Sequence, residues 1–323
     1  MSAGKGHDAA RQSRRGLTNR PTTRPTTLRL LSLGAGVQST TLALLAVEGR
    51  LPSLDGAIFA DTGWEPVAVY AHLDHLAQVL TEAGIPLYRV SAGHLRDDAI
   101  NPGHRYASIP YFVRNPDGSD GMGRRQCTSE YKLAPISRKV RELLGAQPPD
   151  FRRVPRSRVA EQWIGFSTDE IGRVSDKHRV QYERKRYPLL ELGMSRKDCV
   201  RFLTRRGWGN TVKSACIGCP FHGNQQWRDL RDQRPDEWAD AVAFDRAIRK
   251  GGARGLPLNG EAYLHRSRVP LDQAPIDQRT RSELLEQQPD LFDELEDGDP
   301  DGCSPYGCRS GQPTAWDELE SAA

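Results

Sequence analysis

Residues 28–40 read LRLLSLGAGVQST, and the helix-like TLALLAVEGR follows at 41–50. A mostly apolar run ends abruptly in Gly34-Ala35-Gly36, and a new run with helical spacing begins after Gln38 and Ser39. This order is typical of a buried strand, a glycine turn and the N-terminus of a helix. The stretch therefore predicts the first strand–helix unit of an α/β sheet.

The turn between this strand and this helix has the chemistry of an anion site. Backbone amides at a helix N-terminus, together with the positive end of the helix dipole, attract phosphate. Gly34 and Gly36 let a phosphate approach closely, and Ser39 and Thr40 offer hydroxyls to the same anion. The spacing matches neither a Walker A loop nor a Rossmann GxGxxG. A tight turn with a capped helix and no ligand is the alternative.

Strand and helix patterns continue in alternation after this loop. Residues 28–33, 56–60 and 85–90 read as short strands, and 65–83 have helical period. They predict an α/β fold with a doubly wound, mostly parallel sheet covered on both faces. The carboxyl ends of parallel strands meet at one edge, so Asp61-Thr62-Gly63 should lie near the glycine turn. Asp61 could contact a ribose, a magnesium ion or an amide, or it could simply cap the next helix.

The bulk composition excludes a membrane-spanning protein. The 323 residues are 37% hydrophobic with a mean hydropathy of -0.65 and a net charge of +4. No stretch approaches the roughly 20 apolar residues of a membrane span, so we expect a cytoplasmic protein with no membrane partner. Residues 1–27 hold five arginines and one acid, which predicts a disordered basic arm; an organellar transit peptide is the alternative.

The cysteines point to a metal, a cluster or redox chemistry. Six cysteines are too few and too unevenly placed for a disulfide scaffold. Cys216-Ile-Gly-Cys219, followed by a proline, can chelate zinc or part of an iron–sulfur cluster. Cys127, near a helix N-terminus among cations, and His222 are the candidates to complete the site. Three thiolates fit a [4Fe–4S] cluster with one open iron, and zinc held by these cysteines and His222 is the alternative. Residues 187–208 predict a turn and then an amphipathic helix with Ser195 as its N-cap and Gly207 after its end. Cys199 lies inside this helix and is expected to be a buried apolar residue.

Three further segments carry weaker signals. Residues 93–126, rich in Gly, Pro and Asn, predict a long mobile active-site loop. The basic run from Lys177 to Arg186 is either a solvated face or a surface for RNA or another polyanion. The acidic tail Asp297–Gly311 predicts flexibility, so a thiol of Cys303 or Cys308 could reach an active site.

Several of these stretches together resemble one family, the phosphoadenosine phosphosulfate reductases and related PP-loop ATP pyrophosphatases. SLGAGVQST at 32–40 resembles their SGGxDS phosphate loop, with Gly34, Gly36 and Ser39 in matching places and Gln38 where many members have Asp. FADTGWEP at 59–66 is similar to the reductases' DTG motif.

The cysteine regions continue the resemblance over about residues 28–225. Cys127 through Lys132 is similar to the CCxxxKxxP region, with Thr128 in place of the second cysteine. IGFSTDEIGR at 164–173 resembles the GxRxxES-xR segment, in which Ser167 departs from the usual arginine and Glu170 and Arg173 match. CIGCP completes the order of motifs.

The resemblance implies an adenine nucleotide alpha-hydrolase-like sheet. The nucleotide, ATP or a sulfonucleotide, would be held by Gly34–Thr40, Asp61-Thr62-Gly63 and Lys132, beside a [4Fe–4S] cluster. The domains would be a basic arm at 1–27, the PP-loop domain at 28–225, a helical extension at 226–296 and a cysteine-containing tail at 297–323.

For the activity, the resemblance implies sulfonucleotide reduction. Cys303 or Cys308 would attack the sulfate sulfur to form a thiosulfonate, with Glu170 and Arg173 at the catalytic site. A thioredoxin-like electron donor would then release sulfite.

Two alternatives remain open. Relatives with three cluster cysteines resemble sulfur-transfer enzymes, in which ATP and Mg²⁺ adenylate a carbonyl oxygen of a nucleic acid or a small molecule and the open iron carries sulfide from a sulfur donor. The third possibility is a non-catalytic nucleotide-binding protein with structural zinc.

Overall fold

The structure is a computed structural model that describes residues 27–104, 109–174, 180–251, 258–280 and Glu283. The strands are β1 Leu28–Leu33, β2 Gly56–Asp61, β3 Leu87–Ser91, β4 Phe112–Arg114, β5 Asp120–Met122, β6 Ala160–Trp163, β7 Glu183–Arg186 and β8 Glu261–Tyr263. The α-helices are α1 Val37–Val47, α2 Val67–Glu82, α3 Leu95–Ile100, α4 Ala134–Leu143, α5 Pro188–Glu191, α6 Arg196–Thr204, α7 Asn224–Gln233 and α8 Pro235–Ala247. A π-helical segment, Thr128–Leu133, precedes α4, and short 3₁₀ segments cover Thr168–Arg173 and Leu271–Gln273.

The central sheet has five strands in the order β3-β2-β1-β6-β7, and every neighbouring pair is parallel. The chain runs outward from β1 to β3 on one side and then returns to the other side of β1 through β6. Ligands of open α/β sheets bind outside the carboxyl ends of the strands at such a reversal. The predicted α/β fold with a mostly parallel, Rossmann-like sheet is confirmed, and the predicted strand at 28–33 has the observed bounds.

Alternate side chains of the strands enter two separate hydrophobic clusters, because successive strand residues point to opposite faces. Leu31, Leu33 and Phe59 pack with apolar residues of α1, α2 and α6. Leu30 and Ile58 pack with apolar residues of α4. Helices therefore flank the sheet, and the apolar run of β1 is explained by burial on both sides.

A third hydrophobic cluster joins residues that are distant in sequence. It includes Trp64 and Leu95 from the first part of the chain and Trp227 and Phe244 from α7 and α8. Residues on both sides of the predicted domain boundary at 225/226 therefore pack in one hydrophobic core. Over it lies a second, antiparallel sheet in the order β5-β4-β8.

The expectation of a long irregular loop at 93–126 is wrong for much of that segment. It contains α3, β4 and β5, and Leu95, Ala99 and Val113 are buried. β4 pairs with β5 on one side and, on the other, with β8, which comes more than a hundred residues later. Because the strands are only three residues long and one partner is distant in sequence, local periodicity does not reveal them, and the Gly- and Pro-rich composition was misleading.

Other local predictions hold. Ser195 caps α6, since its side chain accepts a hydrogen bond from the Asp198 amide. Cys199 is fully buried in that helix. None of the described helices is long and apolar enough to cross a membrane.

Candidate functional site

The glycine turn after β1 aims two backbone amides at one oxygen atom. Ser39 Oγ accepts hydrogen bonds from the amides of Gly34 at 3.2 Å and Gly36 at 3.3 Å. Ala35, between them, is buried and has a φ of 57°, in the left-handed region that non-glycine residues rarely adopt. Converging amides of this kind form an anion-binding concavity. The Ser39 hydroxyl therefore lies where an oxygen of a bound anion would be held.

Thr40 does not take part in this turn. It is fully buried, and its Oγ1 lies 2.9 Å from Nε2 of His72 on α2. One residue further along a helix rotates the side chain by about 100°, which carries Thr40 away from the turn and into the interface with α2. Its hydroxyl is therefore engaged by His72 at this interface and not by the glycine turn.

Gln38 connects the turn to two other segments. Its Nε2 donates to Glu170 Oε2 at 3.1 Å, and its Oε1 accepts from Arg196 Nη1 at 3.2 Å. Arg173 forms an ion pair with Glu170. The predicted Glu170 and Arg173 are thus brought to the turn, together with Arg196, which sequence reasoning missed. The sequence does place Arg196, because it is the first residue after Ser195, the predicted N-cap of α6.

The segment after β6 reaches the start of α1 because of a glycine. A Cβ on Gly165 would lie 3.1 Å from the Ser39 amide nitrogen and 3.2 Å from the Gln38 carbonyl carbon, tighter than most side chains tolerate. The Arg196 amide also donates to Asp169 Oδ2 at 2.6 Å, which fixes the start of α6 beside this segment. Arg196 therefore lies at the positive end of the α1 dipole, where it suits an anion. Arg173 joins it through Glu170, whose carboxylate compensates the Arg173 charge.

The Asp61-Thr62-Gly63 turn lies at the end of the neighbouring strand β2. Asp61 Oδ1 accepts from the Gly63 amide and from the Tyr70 hydroxyl, both at 2.7 Å. Burial and the adjacent Asp61 carboxylate raise the pKa of Tyr70 above its ordinary value. Of the roles considered for Asp61, contact with a neighbouring amide is therefore the one formed in the structure. The N-cap position of the next helix, α2, is held by Pro66 without a side-chain hydrogen bond, so the expectation that Asp61 caps this helix is wrong.

The Cys216–Cys219 segment packs against this turn. Thr62 Oγ1 lies 3.3 Å from Cys216 Sγ, and the Ile217 amide donates to the Trp64 carbonyl at 2.9 Å. A Cβ on Gly218 would lie only 2.1 Å from the Trp64 ring, so this approach requires glycine. The DTG motif and the CIGC motif thus form one substructure.

Lys132 brings the three cysteines and a buried carboxylate together. Burial lowers the pKa of Lys132, but the Glu65 carboxylate, and then Cys216, Cys219 and Cys127 when they are thiolates, outweigh it and raise this pKa above its ordinary value. Its Nζ lies 3.5 Å from Glu65 Oε1. The structure therefore places Lys132, assigned to nucleotide binding above, at the thiols. Cys127 immediately precedes the π-helical segment that carries Lys132, and such segments are frequent at functional sites.

Glu65 was missed as a site residue. Its side chain is 1% exposed, and its Oε1 accepts hydrogen bonds from Thr62 at 3.1 Å and from the Cys216 thiol at 3.5 Å. Its Oε2 is buried with no hydrogen-bond partner in the described part of the chain. A buried carboxylate is costly unless it is paired, and Lys132 supplies the paired cation here.

His222 has a different environment from the one expected of a ligand. Its Nε2 lies 3.0 Å from the Cys216 carbonyl and 3.2 Å from the Ile217 carbonyl. Carbonyl oxygens only accept, so Nε2 carries the proton and holds the Cys216–Cys219 turn. Burial lowers the pKa of His222 to about 4, partly offset by the Cys216 carbonyl and Gln226. Only Nδ1, which has no partner among the described residues, remains for a metal.

The donors suit a sulfur-ligated metal group in kind, although no three His, Cys, Asp or Glu side chains of the described residues are already grouped to hold a metal ion. Burial raises the pKa of the Cys216 and Cys219 thiols, so both are protonated without a cation. A metal would deprotonate them. In kind, the three thiols are donors that zinc and iron–sulfur clusters take.

One segment links the glycine turn to the thiols. A Cβ on Gly36 would lie 3.4 Å from the Ser214 backbone and side chain, two residues before Cys216. The same segment contacts Thr62 and Trp64 at its other end. The predicted phosphate site and the predicted sulfur site therefore lie side by side at the carboxyl edge of the sheet.

Other predicted residues are not brought to this site. Cys303, Cys308 and the first part of the basic run, Lys177–Arg179, lie outside the described residues. Arg186, at the end of that run, is bound by Glu191 and Glu161. Its charge is thus already compensated within the fold, which weakens the case for a nucleic-acid surface there.

The chain matches no protein-family model, and no curated protein is significantly similar to it. The functional assignment therefore depends on the residues and their geometry.

Proposed function

We propose that this protein is an enzyme of the phosphoadenosine phosphosulfate reductase family that binds an adenine nucleotide beside a sulfur-ligated metal centre. In this proposal its doubly wound sheet is adenine nucleotide alpha-hydrolase-like. The observation that carries the proposal is the contact of one segment, residues 214–219, with the glycine turn at one end and with the DTG turn at the other. A substrate phosphate on the turn would lie next to sulfur chemistry at the thiols.

The phosphate would replace the Ser39 hydroxyl as the partner of the Gly34 and Gly36 amides. Its negative charge would face the positive end of the α1 dipole and the guanidinium of Arg196. The Arg196 guanidinium donates to the side-chain amide of Gln38, which is neutral. This hydrogen bond therefore does not compensate the charge of the guanidinium. Because glutamine at position 38 carries no charge, it leaves the Arg196 guanidinium able to bind a phosphate.

The centre would be a [4Fe–4S] cluster on Cys127, Cys216 and Cys219, with zinc as the alternative. When bound, such a cluster supplies positive charge and an open coordination position near the substrate. The chain's own contribution is the orientation of the Cys216 thiol by Thr62 and the nearby cation of Lys132. These free thiols are typical of a reducing compartment, and we place the activity in the cytoplasm.

Sulfonucleotide reduction is the reaction we favour. A thiolate of Cys303 or Cys308 would attack the sulfate sulfur, break its bond to the phosphate oxygen and release the adenine nucleotide. The resulting thiosulfonate would take two electrons from a thioredoxin-like dithiol, which becomes a disulfide as sulfite leaves.

ATP-dependent sulfur transfer is the second candidate, because only three cysteines lie around Lys132 in the described part of the chain and Arg196 suits a polyphosphate. In that reaction Mg²⁺-bound ATP would adenylate a nucleic acid or a small molecule and release pyrophosphate, and a sulfur donor would then supply the sulfur.

Product analysis of the anaerobically purified protein tests both reactions. We expect sulfite from adenylyl or phosphoadenylyl sulfate in the presence of thioredoxin, and no sulfite from a Cys303→Ser/Cys308→Ser variant. Pyrophosphate release from ATP that depends on an acceptor would favour sulfur transfer instead. Nucleotide binding with neither product would leave the binding protein with structural zinc.

A further inference from the structure

We propose that a basic face, on the side of the sheet covered by α4, binds the phosphate backbone of a nucleic acid. The basic face consists of three cations of α4 and four cations of the segment that precedes β6: Arg138, Lys139 and Arg141, and Arg152, Arg153, Arg156 and Arg158. The inference goes beyond the proposed function, because it needs neither the nucleotide nor the metal centre.

The positive charge of the chain is concentrated in this short stretch. Residues 138–158 hold seven arginines and lysines and only two acids, a net charge of +5. The whole chain carries +4, so all the other residues together carry −1. The concentration therefore does not follow from the general composition, and it favours an acidic partner at this face.

Hydrophobic packing anchors both segments of the basic face on one cluster. Ile136 and Val140 of α4 are buried in this cluster, and Val154 packs against it from the segment before β6. The apolar side of each segment is thus turned towards the sheet, which leaves the charged side chains to solvent. Arg138 is exposed, and the side chain of Arg152 is 81% exposed.

Direct contacts join the same two segments. The Arg138 guanidinium lies 5.2 Å from the centre of the Phe151 ring. At the end of α4, Arg158 Nη1 donates to the Leu144 carbonyl at 3.5 Å. The cations of α4 and the cations before β6 therefore form one surface.

The charge of the basic face is only weakly compensated. Lys139 donates to Glu142 at 2.8 Å, and Arg152 Nε lies 3.5 Å from an oxygen of Asp150; both carboxylates are exposed. Exposed ion pairs are screened by solvent and are worth about 1 kcal/mol or less, so a partner can displace them. Arg138 contacts an aromatic ring instead, which holds the guanidinium without neutralising it.

The arrangement of these cations identifies the partner. Amides that bind a single anion converge in a concavity, whereas the cations of the basic face are spread over an exposed surface. The ten residues of α4 are about 15 Å long, and double-stranded DNA carries one negative charge per about 1.7 Å of its axis. Six of the seven cations are arginines, whose planar fork matches phosphate. A row of backbone phosphates therefore fits this face.

The arginine-rich N-terminal residues join the described chain beside the basic face. The Thr27 amide donates to the Val159 carbonyl at 2.8 Å, and the Val159 amide donates to the Thr27 hydroxyl at 3.2 Å. Val159 follows Arg158 directly, so residues 1–26, with five arginines, are attached next to a surface of the same charge. The experiment must therefore distinguish the basic face from these residues.

The test compares two triple variants of the full-length chain. The basic-face variant, Arg138→Gln/Arg152→Gln/Arg153→Gln, removes three exposed cations and keeps residues 1–26. The control variant, Arg201→Gln/Arg246→Gln/Lys250→Gln, removes the same charge from cations on α6 and around the end of α8 that each pair with a carboxylate. Fluorescence anisotropy measures the affinity for DNA and RNA, as duplexes and as single strands of equal length, over a range of salt concentrations. Circular dichroism verifies that each variant is folded.

We expect the wild type to bind nucleic acid with an affinity that falls steeply with salt. Each phosphate contact contributes about 0.9 to the slope of log affinity against log salt concentration on B-DNA. The basic-face variant should therefore reduce this slope by about 2 to 3 and lower the affinity about tenfold or more. The control should lose about threefold or less, because salt screens charges that lie far from the bound phosphates. The probe bound most tightly identifies the nucleic acid.

Three results would overturn the inference. The first is a wild type that binds none of the nucleic acids. The second is an equal loss in the two variants, or a folded basic-face variant that binds like the wild type, which would place the contact on residues 1–26 or elsewhere. The third is tighter binding to vesicles of phosphatidylserine and phosphatidylcholine than to any nucleic acid, because the partner would then be a membrane surface.

Discussion

Arg196→Gln should weaken nucleotide binding without affecting the fold. The guanidinium is held 3.2 Å from Gln38 Oε1 beside the two loop amides, where a phosphate would accept from it. A hydrogen bond to a charged group contributes about 1.5–3 kcal/mol, which corresponds to a loss of roughly 10- to 150-fold in affinity. Glutamine keeps hydrogen-bonding capacity but removes the charge, so the loss should fall within this range. Adenosine, which carries no phosphate, should bind both proteins equally.

Isothermal titration calorimetry with ATP, adenylyl sulfate and adenosine measures this effect. Arg201→Gln is the matched control, because Arg201 lies on the same helix but pairs with Asp198 at 3.1 Å and is 55% exposed in its side chain. Its substitution should change nucleotide affinity less than twofold. It removes only an exposed ion pair, which is worth about 1 kcal/mol or less to stability. Equal losses in the two variants, or none in Arg196→Gln while the wild type binds ATP, would refute the reasoning.

Three further substitutions test other parts of the structure. Gly218→Ala places a Cβ 2.1 Å from the Trp64 ring. It should reduce the free energy of unfolding, measured by urea denaturation, by about 1–3 kcal/mol. Gly84→Ala is the control, because its Cβ meets no atom within 4 Å and its effect comes only from the positive φ of Gly84. Gly165→Ala crowds the Ser39 amide at 3.1 Å and should weaken ATP binding more than it lowers the melting temperature; unchanged affinity would contradict the close packing there. His265 is buried and its pKa is lowered to about 4, mainly by burial and then by Arg266, so the unfolded chain binds the proton more readily. Stability should therefore fall as the pH drops from about 6.5 towards 4, and this slope should decrease in His265→Gln.

The strands and helices around the glycine turn could be predicted because their signals are local. The apolar run before Gly34 is buried on both faces, and the apolar run after Thr41 forms the part of α1, Leu42 to Ala46, that is buried all round. The same holds for Ser195, whose capping pattern is contained within four residues. These parts of the fold depend on periodicity and turn chemistry that one segment carries by itself.

The parts of the fold and of the candidate site that could not be predicted depend on contacts between distant segments. The pairing of β4 with β8 has no local signal, so an ordered segment looked like a loop. In the sequence, Glu65 looks like an ordinary polar residue. Its contact with Cys216, which lies far along the chain and 3.5 Å away in the structure, has no local signal. Thr40 and His222 were plausible by residue type, but neighbours on α2 and two carbonyls of the CIGC turn occupy their polar atoms.

Nucleotide titration of the wild type and of Gly36→Asp tests the central claim most directly. The substitution puts a carboxylate on the turn that is proposed to receive the phosphate, with a Cβ that has 3.4 Å to the nearest atoms of Ser214. We predict that the wild type binds ATP or adenylyl sulfate with a rise in melting temperature, and that the folded variant shows neither heat of binding nor a shift. Absence of binding to any adenine nucleotide by the wild type, or equal binding by Gly36→Asp, would contradict the account.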